Sequence, residues 1–344
     1  MSTSITIKDI AKQLNISIST VSRALKGSHR VNATTKAKVM KTAKALNYQP
    51  NALALNLRKR KTNTIGIIIP GFIVQFYSTA ISAIQDTMAL HGYNVIICQS
   101  NESYKTEVKN LQTLASYRVD GVIASVSKET NNDEHYRQLE HLDIPLVFFN
   151  RTLPQFNASA ITVDDYDGAK TAIQHLIESG NQKIAIISGP ANLEIYNNRI
   201  HGYMDCLKNN NIPLNDNYIK ETDLSVQAII DAVENLVSLE NPPDAIFTAN
   251  DDSTFITLAL LKEKGIKIPE EISLVGYTSE PKAEYVSPAI TTIEQPTYEI
   301  GKLAAELLIH LLKSNSNQSA QIKKLKANLV VRDSSVKNNL VQKN

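Results

Sequence analysis

The segment Thr6-Ile7-Lys8-Asp9-Ile10-Ala11-Lys12-Gln13-Leu14-Asn15-Ile16-Ser17-Ile18-Ser19-Thr20-Val21-Ser22-Arg23-Ala24-Leu25 holds two helical periods separated by a break. Ile7, Ile10, Ala11 and Leu14 recur at the spacing of one helix face. Asn15-Ile16-Ser17 interrupts that run. Ser17 or Ser19 can cap a second helix carrying Val21, Ala24 and Leu25, which stops near Gly27. A third helix is predicted from Thr34, with Ala37, Val39, Met40, Ala43 and Leu46 inward and Lys36, Lys38, Lys41 and Lys44 outward. Three short helices with a tight turn between the first two make a helix-turn-helix module.

Charge supports that reading. Residues 1–61 hold 13 of the 36 basic residues and one of the 34 acids, Asp9, a net of +12 that leaves −10 on the rest. A small domain so basic repels itself unless it meets a polyanion, and nucleic acid is the usual one, because each neutralised phosphate releases counterions. The bland alternative is a basic, merely soluble arm. At 42% hydrophobic and 20% charged, the 344-residue chain is of ordinary globular composition. Its length suggests two or three domains at roughly 100–200 residues each. No apolar run approaches the ~18–20 residues of a membrane helix, and residues 1–10 lack a basic-then-apolar leader. Cys98 and Cys206 are too few for a disulfide framework. A cytoplasmic protein is expected.

Beyond the basic region, Pro50 presets a helical turn, but 51–58 is too short to be a stable helix alone. From Thr64 the texture becomes alternating strand and helix. Short apolar strands are predicted at 65–69, 94–98, 119–124, 145–149, 161–163, 183–187, 245–248, 273–276 and 329–331. Amphipathic helices fall near 75–91, 103–117, 165–179, 195–209, 225–238, 251–264 and 297–313, with Gly180 and Gly265 as stops. The fold class expected is thus an all-α helix-turn-helix domain followed by an α/β domain of two doubly wound parallel sheets.

Enzyme signatures are missing. No two of the twelve glycines are spaced G-x-G, and no Walker loop, H-E-x-x-H or G-x-S-x-G occurs. The seven histidines are scattered and neither cysteine has metal-like spacing. No enzyme, metal or cofactor is expected. The pairs Asp164-Asp165 and Asp251-Asp252 read as acids at helix starts rather than as catalytic dyads.

The chain resembles the lactose-repressor (LacI/GalR) family of bacterial transcription regulators. The resemblance rests on Thr6 to Ala11 followed by Ser17 to Ala24, on Leu46-Asn47-Tyr48 with Pro50-Asn51, and on Ile65 to Pro70, Val119-Asp120-Gly121, Asn150-Arg151 and Val163-Asp164. It continues through Arg199 to Tyr203, Ala249-Asn250-Asp251, Ile272 to Tyr277 and Gln295-Pro296. It spans about residues 5–335. It implies a homodimer on a palindromic double-stranded operator, a C-terminal part like periplasmic sugar-binding proteins, and a small effector, a sugar or its derivative, between two lobes. It further implies residues 1–50 as the DNA-binding domain, 51–61 as hinge helix and linker, 62–338 as the effector domain and 339–344 as tail. Lobe one would combine 62–161 with 293–323, and lobe two 162–292 with 324–338.

On the DNA side the resemblance implies that Ile18, Ser19 and Arg23 face base edges, Arg23 suiting a guanine O6/N7 pair. Ser17, Thr20, Asn32 and Thr35 are placed for phosphates, which position without specifying. The alternative for Ile18 is a core residue. Leu57 would wedge into the minor groove, with Ala54 and Leu57 of two hinge helices burying each other. Effector binding would then bias whether that hinge folds.

Ligands of open α/β sheets bind outside the carboxyl ends of the strands. The candidates so placed are Phe76, Tyr77, Ser125, Asn150, Tyr196, Arg199, Asn250, Asp251 and Thr278, with Gln295 near a crossover, a polar set with aromatic faces that suits a hydroxyl-rich molecule. The alternative for Arg199 is a surface salt bridge. Many sugar-binding relatives carry Asp where this chain has Thr278. Either Glu280 replaces it or the ligand is not a simple neutral hexose. Rival classes are a sugar-binding protein without DNA function, which would not need the basic end, and a nucleotide-dependent enzyme with a basic appendage, which the missing phosphate loops disfavour.

Overall fold

The computed structural model describes residues 5–48, 61–72, 74–314 and 319–337. The chain divides into two compact units, Met1–Thr62 and Asn63–Asn344.

The first unit holds α1 (Ile7–Leu14), α2 (Ile18–Leu25) and α3 (Ala33–Ala45). Each start is capped by its own sequence. Thr6 and Asp9 form a reciprocal capping box on α1. Ser17 accepts the Thr20 amide on α2, and Asn32 the Thr35 amide on α3. Asn15, left-handed at φ 48, makes the turn between α1 and α2. Gly27, at φ 72, ends α2 by the same device. Ile10, Ala11, Val21, Ala24, Val39 and Ala43 form the buried core. Two inward assignments on the third helix are corrected: Ala37 is exposed and Met40 is 52% exposed. Val39 and Ala43 alone are buried on α3, because three short helices close around one small core with room for a single narrow stripe.

Among the described residues the second unit contains two six-stranded sheets. The first runs β11-β5-β4-β3-β1-β2, with β1 (Thr64–Ile69), β2 (Asn94–Gln99), β3 (Gly121–Ala124), β4 (Leu146–Phe149), β5 (Ser159–Val163) and β11 (Ile322–Leu325). The second runs β12-β10-β9-β8-β6-β7, with β6 (Ile184–Ser188), β7 (Ile219–Glu221), β8 (Ala245–Thr248), β9 (Ser273–Gly276), β10 (Thr291–Glu294) and β12 (Asn328–Val330). All pairs are parallel except β10 with β12. In each sheet the first strand of the lobe is internal (Ile67 opposite Ile97 and Ile123, Ile186 opposite Ile219 and Phe247). This doubly wound order leaves a crevice at the carboxyl ends.

Helices α4 (Gln75–Leu90), α5 (Tyr104–Ser116), α6 (Glu134–His141) and α12 (Thr297–Lys313) belong with the first sheet. α7 (Asp165–Glu178), α8 (Glu194–Asn209), α9 (Val226–Val237), α10 (Asp251–Glu263) and the short α11 (Lys282–Tyr285) belong with the second. The chain crosses between lobes after β5, after β10 and between β11 and β12. Gly301 lets α12 press onto α4: a methyl there would overlap the Ala80 carbonyl. Leu193, Ile195, Tyr196 and Ala249 of the second lobe pack into a core of the first, so the lobes share an apolar seam. Strands β7, β10 and β11 and helices α6 and α11 were not expected from the sequence. β11 is an edge whose Lys323 and Lys324 are exposed, β10 opens with two buried threonines, and α6 is almost wholly polar.

Candidate functional site

In the first unit, α2 turns two faces to different uses. Val21 and Ala24 are fully buried, while Ile18 is 44% exposed and Arg23 is exposed. Ile18 is therefore not a core residue. The Arg23 side chain has no hydrogen bond or ion pair among the described residues. Ser17 Oγ lies 2.9 Å from Ser19 Oγ and 2.8 Å from Thr20 Oγ1, so these hydroxyls cluster at the start of α2. Asn32 and Thr35 form the corresponding start of α3. Helix starts with free amides and exposed hydroxyls attract phosphate oxygens. Thr6 holds the Asp9 carboxyl below its ordinary range, through its hydroxyl and its amide. Ala54 and Leu57 lie outside the described residues.

The second unit has a cavity of about 300 Å³ at the carboxyl ends of both sheets. The sequence-derived Phe76, Tyr77, Asn150, Tyr196, Arg199, Asn250, Asp251 and Gln295 line it. Ser125 and Thr278 do not, but each holds a residue that does. Ser125 Oγ is 3.1 Å from the Tyr77 hydroxyl, which also accepts from Asn150 Nδ2 at 3.2 Å. The Thr278 hydroxyl donates to Asp251. Four charged residues outside the candidate set, Glu102, Lys128, Arg151 and Asp252, also line the cavity. Arg151 was visible in the Asn150-Arg151 motif and Asp252 in the Asp251-Asp252 pair; nothing local marked the other two.

Both guanidinium groups here have carboxylate partners. Arg199 is buried in the second turn of α8. Its Nε and Nη2 donate to Asp165 at 2.8 and 2.6 Å, and Nη1 donates to the Ala249 carbonyl. Its guanidinium carbon stands 3.6 Å from the centre of the Tyr277 ring. The salt bridge foreseen as an alternative for Arg199 exists, but it is buried rather than superficial. Arg151 is buried too, and Nη1 donates to both oxygens of Glu102. Burial opposes the Arg151 cation, yet Tyr77, Tyr196 and Glu102 together raise its pKa. Burial raises the Tyr77 and Tyr196 hydroxyls and the Asp165 carboxyl, which Arg199 partly offsets.

Asp251 sits at the first position of α10, with Asn250 capping through its side chain to the Ser253 amide. Burial pushes the Asp251 carboxyl up to about 6, against the opposing Thr278 hydrogen bond. Gln295 Oε1 is buried with no partner among the described residues, so it is an acceptor available to a ligand. Glu280 does not line the cavity. Its carboxylate accepts the Gln75 amide at 3.2 Å, from the second lobe to the start of α4 in the first. Four left-handed non-glycine residues border the site: Asn101, Glu102, Asn150 and Leu224, at φ 55, 57, 61 and 68. Such backbones cluster where the surrounding structure aims side chains at a ligand. Gly189 makes room for Tyr196, whose ring would lie 2.5 Å from a methyl at that position.

Among the described residues no helix is long and apolar enough to cross a membrane, and no group of His, Cys, Asp and Glu is arranged for a metal.

Residues 6–51 match the family described as bacterial regulatory proteins, lacI family, and residues 173–335 match a periplasmic binding protein-like domain. The chain is 33% identical over 330 residues to the HTH-type transcriptional repressor PurR of Vibrio vulnificus, covering 95% of this chain and 98% of that protein. A solved complex of the transcriptional regulator CelR with cellobiose superposes with TM-score 0.73 at 26% identity, covering 96% of this chain and 99% of that one. The lac repressor dimer bound to operator and the anti-inducer ONPF superposes with TM-score 0.86 at 24% identity, over 97% of this chain and 100% of that one. That last likeness bears on the fold.

Proposed function

The chain belongs to the lacI family of bacterial regulatory proteins, and from that membership we propose that this regulator represses transcription as a homodimer on a palindromic operator, under control of a neutral, hydroxyl-rich effector held between its lobes. It acts in the cytoplasm and catalyses no reaction. Residues 1–50 bind DNA, 51–61 form the hinge, and 62–338 hold the effector. Arg23, Ile18 and Ser19 read base edges; Ser17, Thr20, Asn32 and Thr35 hold phosphates; Ala54 and Leu57 form the minor-groove wedge.

One observation carries the effector's chemistry. Arg151 and Arg199 each face a carboxylate supplied by the protein, Glu102 and Asp165. An anionic ligand that paired with either guanidinium would have to displace its acid and leave it unpaired. A neutral polyol meets donors and acceptors already balanced, and gains the Gln295 acceptor and the aromatic faces of Tyr77 and Tyr196. The carboxylate missing at position 278 is supplied by Asp251, which Thr278 orients. Cellobiose, the ligand in the CelR complex, is a neutral sugar of this class.

The test is a thermal-shift screen of the full-length protein against neutral sugars, uronic acids and sugar phosphates, with selection of its operator from random DNA. Stabilisation by a neutral sugar and an inverted repeat are expected, since half-site geometry mirrors protein symmetry. A ligand at 100 times its Kd adds about 2.7 kcal/mol. Stabilisation by sugar acids alone would reject the neutral effector; an asymmetric single half-site would reject the dimer.

A further inference from the structure

Glu102 follows β2 and shares its left-handed backbone conformation with Asn101. Its carboxylate has two sets of partners. Both oxygens accept from Arg151 Nη1, at 2.9 and 2.8 Å. Oε2 also accepts the backbone amide of Lys128 at 2.7 Å. All three residues line the cavity. Lys128 in turn reaches the second lobe twice. Its Nζ donates to the Asp223 carbonyl at 2.8 Å, and its own carbonyl accepts from Asn192 Nδ2 at 2.9 Å. The preceding amide, Ser127, donates at 2.6 Å to Glu107, which is fully buried behind the loop. Two consecutive amides are thus held by two carboxylates, one sealed in the core and one facing the cavity. Only the hold by Glu102 is open to a ligand.

Arg151 can shift that hold. Its Nη1 is committed to Glu102, with a long 3.5 Å contact to the Val126 carbonyl, and its Nε is buried with no partner among the described residues. A hydroxyl entering the cavity can accept from this guanidinium and turn it without displacing Glu102. Because one carboxylate serves both Arg151 and the Lys128 amide, turning Arg151 changes the grip on Lys128, and with it the lobe-to-lobe clasp. We propose that Glu102 is a positioning residue that transmits occupancy of the cavity at Arg151 to the interlobe clasp at Lys128. This rests on reading the cavity as the effector site, but its test requires no effector.

Hydrogen exchange on the full-length protein tests it, following 126–130 as the reporter and 146–149 in the adjacent strand as control. In Arg151→Gln, exchange of the Lys128 amide should accelerate about tenfold, the scale of one weakened charge-assisted hydrogen bond, although Arg151 does not touch that amide. The control segment should be unchanged. Arg151→Lys, which keeps a cation for Glu102, should restore near wild-type exchange. In a Glu102→Gln background, adding Arg151→Gln should change nothing further, because the relay is already cut. Additive effects, or equal acceleration in 146–149, would overturn the proposal by making Arg151 merely structural. Should Arg151→Gln not fold, Glu102→Asp tests the same point, being one methylene too short to span both donors. Faster exchange at Lys128 with 146–149 unchanged supports the relay; unaltered exchange at Lys128 refutes it. A failed sugar screen alongside the expected exchange pattern would reject the effector reading and leave the relay standing.

Discussion

The exposed face of α2 and the cavity of the second unit both rely on arginine, and they treat it in opposite ways. Arg23 is exposed and its side chain has no partner among the described residues. Arg199 and Arg151 are buried, and each is paired with a carboxylate. A partner rich in phosphate supplies counter-charge itself, so a surface that binds it keeps cations unpaired and solvated. A site for a neutral ligand must balance its own charges before the ligand arrives, because a lone buried charge is costly. On the proposed function the same side chain is therefore a binding group in one unit and a scaffold element in the other.

Four substitutions probe that contrast, beginning with the largest expected effect. Arg199→Ala leaves Asp165 buried without its partner and should destabilise the second unit by about 3–5 kcal/mol, read as a lowered thermal midpoint. A change near zero would mean that Arg199 is a free binding group like Arg23. Arg23→Ala should leave stability alone and cost ~1–3 kcal/mol on the selected operator, relaxing preference at one base pair per half-site. Equal weakening on every DNA sequence would reassign it to phosphate.

Asp251→Asn carries a pH signature. The folded carboxyl, at about 6, lies above its ordinary value of 3.8. A raised acid favours the protonated fold: its contribution is fully present below 3.8 and is lost as pH rises through about 6. The Asn variant should therefore melt higher than wild type at pH 7.5, by the equivalent of about 3 kcal/mol, and match it near pH 4. A gap that persists at low pH would exclude titration of Asp251 as its cause. The smallest effect is expected for Ser17→Ala, which removes the α2 cap and should cost about 1 kcal/mol of first-unit stability, seen in the helical circular dichroism of the isolated transition.

Local signals were legible where neighbours in sequence decide the structure. The helix-turn-helix followed from caps and breaks within a few residues, and β1 from a continuous apolar run. Edge strand β11 was hidden because its two lysines face solvent, and α6 because its buried His135 and Tyr136 are satisfied by Glu107, 28 and 29 residues earlier. The strand-end rule identified Tyr77 and Tyr196 as cavity residues, since the topology alone puts them there. It missed Glu102 and Lys128, whose roles depend on an ion pair spanning 49 residues and on contacts with the other lobe. Ala37 and Met40 were misplaced because helical spacing marks a stripe without telling how narrow the core beneath it is.

The most direct test of the division between the two regions is operator affinity of the full-length protein, measured by fluorescence anisotropy across a titration of the neutral sugar that stabilises it. Coupling between sites is typically worth about 1–3 kcal/mol, so operator Kd should change by at least about fivefold at saturating sugar. An operator Kd that stays constant while the sugar saturates its site would contradict control of the first region by the second.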